Sequence, residues 1–180
     1  MASSRRRTIW LALLTSFAFA LTGGGHSFSQ DLGKPACEQF DWSVKREQVL
    51  FNAPDLAAAA SGTTLGTIPE RGITLQLLPN PGVPFIVPPA RQPKNADSFG
   101  GVLTSANVPK AGSYQVTLST EAWIDVIQDG TAMDSTAHTG KRGCADVRKS
   151  VRFELKPGAV TLQVSGAPAN LIKVAVLPAE

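Results

Sequence analysis

A chain whose only histidines are His26 and His138 has few routes to acid–base or nucleophilic chemistry. Nucleophilic catalysis needs a base beside Ser or Cys, and His138 is the only histidine outside the first 29 residues. No G-x-S-x-G elbow occurs, and Cys144, six positions after His138, reads as an oxidised cysteine rather than a thiolate. Asp125 and Asp129 offer a second chemistry, the carboxylate pair of a glycosidase. Four apart in a β-rich run they point to one face, but nothing in the spacing supplies a cleft. Together with His138 they are the set from which a metal site would be built. Cysteine–histidine clusters, P-loops and dinucleotide fingerprints are absent from the sequence. The expectation is no catalytic residue and no cofactor.

Trp42, Trp123 and Tyr114 permit a different function, because large aromatics on a sandwich face can stack against sugar rings. In a small core such residues more often pack. Exposure separates the two cases: a binding module shows at least one tryptophan, and a structural domain buries both. Charge is also uneven. Glu121, Asp125, Asp129 and Asp134 are the only charges from 121 to 134, whereas Lys141, Arg142, Arg148, Lys149, Arg152 and Lys156 dominate 141–156. Opposite charges on adjacent strands contribute about 0.2–1 kcal/mol per pair. Cross-strand pairing or solvated faces is the preferred reading, and a basic patch for an anionic glycan is its functional counterpart.

The N-terminus sets the compartment. Arg5, Arg6 and Arg7 precede Ile9 to Leu21, an apolar run without charge. A secretory signal has this order with a core of about 7–15 apolar residues, whereas a spanning helix needs about 20. Ser27 and Ser29 place cleavage before Gln30, giving a signal peptide over 1–29 and one domain over 30–180. Ala18 and Ala20 offer an earlier site. Arg6-Arg7 followed by Ile9-Trp10 also fits a twin-arginine signal, with an ordinary basic leader preferred. The 17 basic residues fall by three with the leader, to 14 against 14 acidic ones. A neutral exported domain has no electrostatic draw toward nucleic acid or anionic lipid. The expected location is periplasmic or secreted, with no membrane anchor after cleavage. In an oxidising compartment the two cysteines, Cys37 and Cys144, read as one structural disulfide.

These residues have to be positioned by β-structure. The organising stretch is Gly112 to Asp129, where Tyr114, Val116 and Leu118 alternate with polar residues at period two. Trp123 to Ile127 is a second β-rich run, read as a neighbouring strand. Other expected strands are Gly72–Leu78, Phe99–Leu103, Val147–Leu155, Val160–Val164 and Ile172–Val176. Gly100-Gly101 marks a bulge or a close backbone approach. From Phe40 to Phe51 the pattern is ambiguous: Phe40, Trp42 and Val44 alternate like a strand, but a short helix near 43–52 is preferred, with Asp41 or Ser43 as cap. The alanine run from Leu56 is either a helical turn or an extended segment. Pro79 to Pro93 cannot be a central strand and reads as a covering loop or edge, with Val83 to Val87 a possible short strand. Thr131 to Gly143 reads as a long loop. Seven or eight short strands without crossover helices predict an all-β, antiparallel sandwich.

Gly112 to Leu177 resembles the pre-peptidase C-terminal modules found beside secreted bacterial peptidases. The resemblance is carried by Ala111-Gly112-Ser113-Tyr114-Gln115-Val116-Thr117-Leu118, an acidic strand ending at Asp129-Gly130, Ser150 to Leu155, and Val160 to Gly166. It implies a jelly-roll sandwich that binds or supports and does not catalyse, with Asp129 as a candidate calcium contact. The whole chain is similar to a group of small exported bacterial proteins, some labelled homogentisate dioxygenase. That enzyme's iron needs two histidines and a carboxylate, which His138 alone does not supply, so a metal-dependent enzyme is the weaker alternative. The expected function is an exported non-catalytic binding or accessory protein. Its expected partner is a cell-envelope glycan or another exported protein.

Overall fold

A computed structural model describes residues 34–180; the signal-peptide reading of 1–29 lies outside them. In chain order the elements are α1 (Lys45–Phe51), β1 (Ala57–Ala60), β2 (Thr63–Leu65), β3 (Ile73–Gln76) and β4 (Leu78–Pro79). Then come β5 (Phe99–Val108), β6 (Gly112–Leu118), β7 (Trp123–Gln128), β8 (Thr131–Ala132) and β9 (Ser135–Gly140). The last three are β10 (Lys149–Leu155), β11 (Gly158–Ala167) and β12 (Leu171–Pro178). The first sheet runs β1-β3-β12-β6-β10-β9 and the second β2-β5-β11-β7-β8, with β4 paired to β5. The chain crosses from sheet to sheet on passing from β5 to β6, β6 to β7, β10 to β11 and β11 to β12, so the molecule is a β-sandwich.

Tyr114, Val116 and Leu118 of β6 share one core with Ile124 and Val126 of β7, and with Leu162 and Val164 of β11. The alternation read from the sequence therefore holds, but the pairing does not. β6 bonds to β10 and β12, whereas β7 bonds to β11 and β8. The break at Thr120-Glu121 carries the chain across the sandwich, and the two stretches face each other instead of lying side by side. The expected count of seven or eight strands also falls short. β1 and β2 pair in parallel with β3 and β5, so the sheets are mixed at one edge. Thr131 to Gly143 holds β8 and β9 where a loop was expected. β9 is an edge strand with polar residues on both faces, and such a strand carries no period-two signal.

The outer face of the first sheet carries a second, smaller core. Phe40, Val44 and Phe51 pack there on Val147, Ala175 and Leu177. Lys45-Arg46-Glu47-Gln48 are good helix formers, Ser43 Oγ accepts from the Lys45 amide at 3.4 Å, and Pro54 closes the run. Beneath α1, Glu47 is fully buried and accepts from Gln115 Nε2 at 2.6 Å. Cys37 and Cys144 form the expected disulfide, joining positions 107 residues apart with a Cα–Cα separation of 4.6 Å. It pins the segment preceding α1 to the loop between β9 and β10.

The outer face of the second sheet is covered by the proline-rich segment, which forms no strand over Val83 to Val87. Prolines lack ladder donors, so side chains of the sheet hold it. Gln163 Oε1 accepts from the Ile86 and Val87 amides, and its Nε2 donates to the Val87 carbonyl at 3.0 Å. Asp125 Oδ2 accepts from the Ala90 amide at 3.4 Å. Gly100 fulfils the close-approach reading, since a Cβ there would lie 2.8 Å from the Val164 carbonyl oxygen.

Candidate functional site

Where this cover ends, Arg91 and Lys94 meet the start of β7, the loop before β10 and the end of β11. Together they enclose a concave pocket of about 470 Å³ around Trp123. Arg142, Arg148 and Lys149 form its other basic wall, with Glu121 as its one carboxylate and Ser165 among its lining residues. Small-molecule sites fall in the range of roughly 300–1,000 Å³.

The indole is fixed from its own strand. Trp123 Nε1 donates to Asp125 Oδ1 at 2.9 Å, a pairing possible because residues two apart on a strand share a face. Asp125 thus orients the ring with one oxygen and holds the cover with the other. Lys149 Nζ lies 4.8 Å from the ring centroid and the Arg91 guanidinium 5.7 Å, within cation–π range. Arg148 pairs with Glu121. Lys149 donates to the Ala122 carbonyl at 3.3 Å. Burial pushes its amine below the usual lysine range; Arg148 and Arg91 push the same way, while Glu121 and Asp125 oppose them. Ser165 is 1% exposed and its Oγ has no hydrogen-bond partner among the described residues.

Lys149 donates to a backbone carbonyl and Ser165 Oγ has no hydrogen-bond partner among the described residues, so the two form no Ser–Lys hydrogen bond. His138 lies exposed on β9, the edge strand of the other sheet. Asp129 sits at a positive φ of 52° in the turn after β7, and Asp125 is committed to Trp123 and Ala90. Among the described residues no group of three or more His, Cys, Asp or Glu side chains could hold a metal ion.

The three aromatics occupy separate places. Tyr114 is 4% exposed in the central core, its hydroxyl donating to the Lys110 carbonyl at 3.0 Å. Trp42 packs on the first sheet, donating to Ser150 Oγ at 3.2 Å with Arg152 4.2 Å above its ring. Trp123 stands on the second sheet. Both tryptophans are half-buried, and Trp123 lines the basic pocket. Sequence reasoning missed Arg91, Lys94 and Ser165, whose neighbours in space come from distant stretches. The basic run at 141–149 and Trp123 were the visible signals.

The molecule is therefore an all-β sandwich with a basic, aromatic pocket beside a proline-rich cover. Among solved structures it is similar to the pre-peptidase C-terminal domain of a collagenase from Bacillus anthracis. The identity is 17% and the TM-score 0.36, over 69% of this chain and 99% of that domain. No protein-family model matches the chain, and no curated protein matches it.

Proposed function

We propose that the protein is an exported, non-catalytic binding protein whose ligand is a cell-envelope glycan seated in the Trp123 pocket. The observation that carries this reading is the placement of a fixed indole in a concave site rich in hydrogen-bond donors. Sugars are recognised through an aromatic face together with polar groups that fix orientation. Export is supported by the leader pattern and by the Cys37–Cys144 disulfide, since such bonds persist in oxidising compartments.

The test is a thermal-shift screen of the purified protein against cell-wall glycans. A ligand that binds only the folded state raises its stability by mass action, about 2.7 kcal/mol at a hundredfold excess over Kd. The expected result is a rise in Tm with at least one glycan, lost in Trp123→Ala and kept in Trp42→Ala. A Trp123→Ala protein that still responds would overturn the assignment of the site.

A further inference from the structure

The Trp123 pocket gathers positive charge in a domain that has none to spare. Arg91, Lys94, Arg142, Arg148 and Lys149 line it against the single carboxylate Glu121, although the exported chain is balanced. Pairing within one sheet does not bring these charges together, because β7 and β10 lie in different sheets; Arg148 meets Glu121 across the sandwich edge, and Arg91, Lys94 and Arg142 stand on solvated faces as the sequence reading allowed. Only Arg148 is ion-paired there, with a Glu121 that is itself exposed. Arg91, Lys94 and Arg142 are exposed and make no ion pair with the described residues. Lys149 uses one of its three N–H donors on Ala122 and keeps the others.

Two further observations favour an anionic ligand. Burial disfavours the Lys149 charge, and Arg148 and Arg91 add to that while Glu121 and Asp125 partly offset it. Ser165 buries a hydroxyl with nothing to bond, and buried polar groups are normally satisfied by protein, water or ligand. An anionic oxygen in the pocket would relieve both. A ligand ring that stacks on Trp123 displaces Lys149 or Arg91 from over the indole, where they lie 4.8 and 5.7 Å from its centroid, and offers them its own charge instead.

We infer that the pocket is an anion subsite and that its glycan is acidic, with a carboxylate on the sugar ring held by Arg91, Lys149 and Ser165 Oγ. Arg148 supplies a further cation by exchanging Glu121 for the ligand. This inference rests on the glycan reading above and narrows it to uronate-type sugars. Neutral sugars would leave the cations unpaired and Ser165 unsatisfied.

The test is calorimetric titration of the purified protein with an oligogalacturonate and with its methyl ester, which removes the charge and keeps the ring. The acid is expected to bind at least tenfold more tightly than the ester. Raising the salt concentration weakens only the acid. The preference for acid should collapse in Lys149→Met and in Arg91→Ala; Arg91 is exposed on the cover, so that variant guards against a folding defect. Equal binding of acid and ester overturns the acidic ligand and leaves the glycan reading standing. Binding of neither sugar overturns both. Binding of inorganic phosphate alone keeps the anion subsite and removes the sugar.

Discussion

Gln163 treats Val87 as a strand neighbour: its carboxamide accepts from the Val87 amide at 3.2 Å and donates to the Val87 carbonyl at 3.0 Å. A side chain thus stands in for the ladder that the surrounding prolines cannot make. Gln163 is fully buried, so truncation leaves backbone groups of the cover without partners. Gln163→Ala should destabilise the protein by about 1–3 kcal/mol. It should also weaken glycan binding, because the same cover carries Arg91. Gln163→Glu keeps the acceptor and loses the donor. Urea denaturation and titration of the two variants measure both effects.

The Cys37–Cys144 bond ties the N-terminal cover to the loop that supplies Arg142 and Arg148. The loop has other holds: Asp146 accepts from Asn52 at 3.1 Å and pairs with Lys173 at 3.2 Å. Replacing both cysteines by serine should cost about 2–5 kcal/mol, less if the unfolded chain keeps structure. The central core lies on the far side of the first sheet, so the sandwich should persist with a loosened outer layer. Denaturation midpoints compared with and without reductant check this.

Lys149 gives stability a distinctive alkaline dependence. Its amine titrates below the ordinary 10.5, because of burial and the nearby Arg148 and Arg91, partly offset by Glu121 and Asp125. Below the depressed folded value both states are protonated, and the folded state bears the full cost of a crowded ammonium. Between that value and 10.5 the unfolded chain binds more protons, so stability rises with pH through this window. Lys149→Met should be more stable at neutral pH and should lack that rise. Denaturant titrations across the alkaline range, with wild type and variant side by side, isolate the difference.

The sequence made faces legible and left partners hidden. Period-two runs such as Tyr114-Val116-Leu118 and Val160-Leu162-Val164 mark which side chains enter the core, because burial acts on each strand alone. They carry no record of which sheet a strand joins, so β6 and β7 read as neighbours when they face each other. The Cys37–Cys144 pairing was legible because two cysteines allow one bond. β9 was not, since Ser135-Thr136-Ala137-His138-Thr139-Gly140 has no apolar face to bury. Gln163 and Asp125 occupy outward positions that ordinarily meet water, and nothing local says that a proline-rich segment will lie over them. The pocket suffers most from this blindness: Arg91, Trp123, Arg148 and Ser165 come from separate stretches that only the finished sandwich assembles.

Trp42 and Trp123 stand on opposite outer layers, one within the N-terminal cover and the other beside the proline-rich one. Among the described residues these are the only two tryptophans, one in each layer. Single-tryptophan versions would give each layer its own optical signal. Peeling of the N-terminal cover and opening of the Trp123 pocket then become separately observable events in the same molecule.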